Sequence, residues 1–69
     1  MTRTEIARAL TRENNGRILL TISEAARACG MSRNTVAEML REVPHFRDGK
    51  SRRYLVDDIA DQIIERRTI

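Results

Sequence analysis

TISEAARACGMSRNTVAEML, residues 21–40, reads as two short amphipathic helices around one tight turn. Thr21 and Glu24 have capping-box spacing: the hydroxyl accepts from the amide three residues on, and the carboxylate accepts back from the cap's own amide. The helix they open runs to about Cys29, with Ile22, Ala25, Ala26 and Cys29 on its inward side. Adjacent alanines allow a second helix to approach closely. Gly30 takes the turn, Met31 plugs the gap between the helices, and Ser32 caps a second helix predicted to reach about Glu42.

On that second helix, at about 100° per residue, Ser32, Val36, Met39, Leu40 and Val43 fall on one side. Asn34, Ala37, Glu38 and Arg41 fall opposite, with Arg33 and Thr35 flanking the N-terminal end. Hydrogen-bonding groups around one small residue are what a helix needs to read base edges. Two such helices about a Gly turn are the sequence form of a helix-turn-helix, which inserts its second helix into the major groove of DNA.

Toward the N-terminus, Thr2 and Glu5 repeat the capping-box spacing and open a helix over residues 2–13, carrying Ile6, Ala9, Leu10 and Glu13 at helical intervals. Asn14-Asn15-Gly16 stops it, because Asn and Gly tolerate the left-handed conformation. Arg17 to Leu20 is a brief strand or extended lead-in. Toward the C-terminus, Pro44 ends the second helix of the pair and favours extended chain. His45-Phe46-Arg47 and Arg53-Tyr54-Leu55 read as two strands joined at Asp48-Gly49, a strong hairpin signal. The hairpin tip RDGKSRR carries Arg47, Lys50, Arg52 and Arg53 against Asp48 alone. Asp57 is expected to cap a last helix whose early acids (Asp58, Asp61) and late Arg66-Arg67 complement the helix dipole, with Ile59, Ala60, Ile63 and Ile64 as its apolar stripe. The expected fold is mainly α with a small β-hairpin, a winged helix-turn-helix. Residues 1–69 form one domain: an extra helix over 2–13, the helix-turn-helix over 21–42, the wing over 44–55 and a closing helix over 57–67.

Composition bounds the function. The chain has 12 Arg and one Lys against ten acids, a net charge of +3, and residues 1–55 hold 11 basic against six acidic side chains. Arginine's planar fork suits phosphate and guanine. One Cys29 excludes an internal disulfide, and with His45 it cannot assemble a zinc site, so no cofactor or metal is expected. No run approaches the ~18 apolar residues of a membrane span and no leader opens the chain, so a soluble, cytoplasmic protein is expected. Sixty-nine residues leave little room for an enclosed pocket, and no motif groups Ser, His and carboxylate as nucleophile and base, so no enzyme is expected.

Residues 19–64 resemble the excisionase-type, MerR-like winged helix DNA-binding domains. The resemblance is carried by LLTISEAARACGMSRNTV, by Pro44 with RDGKSRR, and by RYLVDDIADQII. Two departures stand out: Ala37-Glu38 where relatives often carry an aromatic or Arg, and Val43 where they often carry Gly, so the site sequence cannot be carried over. The resemblance implies double-stranded DNA as partner, with a tyrosine-type integrase and cooperative self-association on attachment-site DNA that the protein binds and bends. It also implies a bacterial or mobile-element protein associated with the nucleoid. A small winged-helix transcriptional regulator, or a protein-interaction module that ignores DNA, would share the same pattern.

On this reading Asn34 and Arg41 contact adenine and guanine edges, Ala37 lies between them, and Glu38 either accepts from cytosine or pairs with Arg41. Arg33 and Thr35, with the helix's first amides, suit phosphate. In the wing, Arg47, Lys50, Ser51, Arg52 and Arg53 are groove or backbone contacts, with Arg52 and Lys50 foremost. Arg27 is a further phosphate candidate. Cys29 reads as a small buried hydrophobe, His45 as strand packing, and Tyr54 as packing between wing and core.

Overall fold

The first helix, α1 (Arg3–Glu13), begins where its capping box places it. Thr2 Oγ1 accepts from the Glu5 amide at 3.2 Å, and Glu5 Oε1 accepts from the Thr2 amide at 2.9 Å. In this computed structural model, which describes residues 2–67, α1 buries Ile6, Ala7 and Leu10, so Ala7 takes the inward place expected of Ala9 and Glu13 stays exposed. Its end is sealed by Asn14, a buried side chain that donates to the Leu10 carbonyl at 2.9 Å. Asn15 (φ 59°) and Gly16 (φ 85°) then reverse the chain in the left-handed region.

There follow β1 (Leu19–Leu20), α2 (Ile22–Cys29), α3 (Arg33–Met39), β2 (Phe46–Asp48), β3 (Ser51–Leu55) and α4 (Val56–Arg66). The strands form an antiparallel sheet in the order β1-β3-β2, with Leu20 opposite Tyr54 and Phe46 opposite Arg53. The hairpin reading supplied β2 and β3; the lead-in before α2 adds β1 at the far edge. The wing turn comprises Gly49 and Lys50 between the paired Asp48 and Ser51, one residue later than expected. Gly49 alone of the two has positive φ (62°), the sign pattern of a type II′ turn.

The core lies where helices and sheet meet. Leu20, Val36, Leu40 and Ile59 are its largest fully buried side chains, joined by Ala25, Ala26, Tyr54 and Val56. Each of the large ones contributes roughly 1.5–3 kcal/mol on leaving water. Helix α1 packs mainly on α4, and α2 on α3, the latter across the Ala25-Ala26 pair. Ile22, Cys29, Met31, Ile63 and Ile64 are partly buried around this centre, as their helical spacing predicts.

Besides the wing, where β2 is Phe46–Asp48 and β3 starts at Ser51, two helix boundaries differ from the sequence expectation. Helix α3 stops at Met39 rather than reaching Glu42: beyond it, the Arg41 amide donates to Glu38 at 3.4 Å and the Val43 amide to Leu40 at 3.0 Å, both turn-type bonds. Pro44 keeps Val43 out of helical backbone, which bounds the segment but does not by itself account for a stop as early as Met39. At the other boundary, α4 is not capped by Asp57, which lies inside its first turn; Leu55 is the cap residue and makes no side-chain capping bond. The Val56 amide is instead satisfied by the Ile18 carbonyl at 2.9 Å, so β3 runs straight into α4 and the backbone before β1 stands in for a cap. α4 ends at Arg66, with Arg67 at its C-cap.

Candidate nucleic-acid interface

Ser32 sets the start of α3. Its hydroxyl accepts from the Thr35 amide at 3.1 Å and shares a 2.8 Å hydrogen bond with the Thr35 hydroxyl. Val36, Met39 and Leu40 turn into the core, and that anchoring aims the opposite side of the helix at solvent. Arg33, Asn34, Thr35 and Glu38 are exposed and Ala37 is half-buried. By helical angle Asn34 is the crest of this surface. One flank, with Arg33 and Ala37, shares a shallow concavity with Ile22 from the first turn of α2. The other flank, with Thr35 and Glu38, faces Ile63, Arg66 and Arg67 of α4.

The wing presents Arg47, Lys50, Ser51 and Arg52 to solvent. Arg53 behaves differently. Its side chain is 26% exposed and lies between two carboxylates, Asp48 Oδ2 at 3.0 Å and Glu24 Oε1 at 3.4 Å. Glu24 also closes the capping box of α2 and takes Arg17 on its other oxygen at 3.0 Å. One carboxylate therefore joins the first turn of α2, the lead-in to β1 and the base of the wing. Its pKa is held below the ordinary carboxylate range, first by the hydrogen bond from the Thr21 amide; burial opposes this, and Arg17 and then Arg53 lower it further.

The remaining candidates separate from this surface. Arg41 lies past the end of α3 and pairs with Glu38 at 3.3 Å, in a concavity that also holds Glu42 and Glu65. Arg27 sits in the last turn of α2, beside Glu13 and Arg17 rather than beside α3. Phe46 is 60% exposed on the wing, while His45 packs its ring 5.7 Å from that of buried Tyr54. Cys29 is half-buried, and burial pushes its thiol pKa up, which favours the inert protonated form. Arg66 and Arg67 are the residues the sequence reading assigned only to the helix dipole; the fold brings them beside α3. No spacing rule joins positions 34 and 66, so only the packing of α4 could reveal that proximity.

No cluster of three or more His, Cys, Asp or Glu able to hold a metal occurs among the described residues. No described helix is long and apolar enough to cross a membrane. The family model of the helix-turn-helix domain matches residues 19–67, which takes in β1 through α4 and leaves α1 outside. No curated protein and no solved structure matches the chain.

Proposed function

The chain belongs to the helix-turn-helix domain family, and we propose that it binds double-stranded DNA sequence-specifically and, on the resemblance of residues 19–64, that it is an excisionase-type factor that bends attachment-site DNA for an integrase. The observation that carries the DNA reading is the exposed N-terminal half of α3, anchored from behind by Val36 and Leu40 and flanked by cations. Asn34, at the crest, is matched to an adenine edge. Ala37 leaves room for a base or a thymine methyl beside it. Arg33, Thr35 and the first amides of α3 hold the phosphate at the helix's N-terminal end. Arg47, Lys50, Ser51 and Arg52 of the wing take the neighbouring backbone or minor groove, with Arg53 holding the hairpin at its base. Arg41, paired with Glu38, reads a guanine only after exchanging that partner, and Arg27 contributes at the periphery.

The excisionase role rests on the resemblance of residues 19–64, and it asks for more than binding. Footprinting across attachment-site DNA, with a circular-permutation bending assay and an excision assay run with and without integrase, tests it. Protection, bending and stimulated excision are expected together. Protection confined to a promoter, with no effect on excision, would make the protein a regulator. Asn34→Ala is expected to cost about 1–3 kcal/mol at one base position and little at others. Equal binding of specific and scrambled duplex by wild type and variant would end the base-reading assignment.

A further inference from the structure

We propose that Arg66 and Arg67 form a second phosphate-contact site, gripping the DNA strand on the side of α3 away from α2. This rests on the DNA reading above and extends it to the closing helix. The two arginines line the rim of an open concavity of about 690 Å³ whose other wall is the α3 surface of Asn34 and Thr35, and whose floor is Met31, Met39 and Ile63. Glu38, the acid lining this concavity, pairs with Arg41 at 3.3 Å, and Arg66 also lines the adjoining concavity that holds Glu42 and Glu65. Among the described residues neither Arg66 nor Arg67 makes an ion pair, unlike Arg3, Arg17, Arg41 and Arg53. Arg66 Nε donates to Gln62 Oε1 at 3.4 Å, which steadies the guanidinium and leaves its terminal nitrogens for a ligand.

Geometry supplies the ligand. An α-helix with its side chains is about 10–12 Å across and the major groove is about 12 Å wide, so a duplex that admits α3 must pass one sugar-phosphate strand along each flank. One flank of α3 meets the first turn of α2, which is tied to the wing through Glu24 and Arg53. The other flank faces Arg66 and Arg67 across the open concavity. Guanidinium forks match phosphate oxygens, and the Met and Ile floor suits the C–H faces of deoxyribose. A pair that served only the helix dipole would contribute to α4 stability and nothing to DNA affinity.

The test is fluorescence anisotropy of the full chain with a labelled duplex of about two helical turns, titrated at several salt concentrations. Arg66→Gln/Arg67→Gln is expected to lower the slope of log K against log salt by about 1.8, and to weaken binding about tenfold or more near 0.1 M salt. Arg8→Gln/Arg12→Gln removes the same charge from α1 and is expected to shift the slope by less than about 0.5. Arg66→Lys/Arg67→Lys, which keeps the charge, is expected to keep most of the slope. Equal slopes for wild type and the Arg66/Arg67 Gln variant overturn the proposal, as does an equal loss in both Gln variants, which would make net charge the cause. A wild type without salt-dependent duplex binding sinks the DNA reading and this one together, whereas a binding wild type with unmoved variants sinks this one alone.

Discussion

Where α3 joins the molecule, Val36 and Leu40 are fully buried and Met39 nearly so. Where the wing joins it, the link is Arg53 between Glu24 and Asp48, continued through the β3 ladder to β1. Both regions offer cations and hydrogen-bonding groups to the same proposed partner, yet α3 is anchored along its length by exclusion of water, whereas the wing beyond buried Tyr54 is exposed throughout residues 44–52 and is tied at its base by charge. Burial is indifferent to moderate salt and pH, whereas ion pairs respond to both. Helix α3 should therefore behave as a fixed part of the core, and the wing as an adjustable arm.

Leu40→Ala should have the largest effect, because it strikes the fixed side. A buried Leu→Ala change costs about 2–5 kcal/mol, and a domain of this size holds only about 3–10 kcal/mol in all. Urea unfolding should show a midpoint close to zero denaturant, with helical circular dichroism and DNA binding lost together. A variant that kept its helical signal while losing only DNA binding would break the contrast, because α3 would then be detachable from the core.

Glu24→Gln strikes the other side. Gln preserves the capping box, since its side-chain oxygen still accepts from Thr21, but the charge facing Arg17 and Arg53 is gone. A global cost of about 1–2 kcal/mol is expected, in line with the loss of charge-assisted bonds. The sharper signature is local: ¹⁵N relaxation should report increased motion for residues 47–52 and unchanged order for 33–39. A uniform change across the molecule would mean that Glu24 supports the fold at large and not the wing.

The same carboxylate gives a smaller, pH-linked effect. Its folded pKa lies below the ordinary value, so its stabilisation is complete above about pH 4.3 and is lost as pH falls through the folded pKa. Wild type should lose stability on acidification from pH 5 to pH 3 more steeply than Glu24→Gln, by urea titration at each pH. Glu5, lowered by its hydrogen bonds with Thr2, adds to the acid limb of both proteins and so cancels in the comparison. Parallel acid limbs would remove the charge-based account of the wing anchor.

What could be read in the sequence divides along the same line. The features of α3 depend on neighbours within a few positions: Ser32 and Thr35 for the cap, Val36, Met39 and Leu40 for the inward side. Local periodicity exposes these, as it exposes both capping boxes. The wing's cations were equally visible, but their division of labour was not. Nothing local separates Arg53 from Arg52; their environments differ because side chains alternate along β3 and Glu24 lies across the fold at that face. The start of α4 is hidden from local patterning for the same reason, since the Ile18 carbonyl that satisfies Val56 lies far away in sequence. Arg66 and Arg67 approach α3 only through the packing of α4, which periodicity orients but cannot dock.

Ser32→Ala is the smallest change proposed, and it tests the point where anchoring and interface coincide. Unlike α1 and α2, α3 has no capping box: Thr35 stands where the other two carry Glu, and Ser32 alone satisfies the first-turn amide. Removing the hydroxyl should cost about 0.5–1 kcal/mol, the low end for an N-cap, because Val36 and Leu40 hold the rest of the helix; Ser32→Gly should cost only a few tenths. The lost bond frays the turn that carries Arg33, Asn34 and Thr35, the part assigned to DNA. Affinity measured well below the melting temperature, where almost all of the protein is folded, should therefore fall several-fold for Ala and less for Gly. If affinity there is unchanged for both, the first turn of α3 does not touch DNA, and the fixed region meets its partner through some other part of its surface.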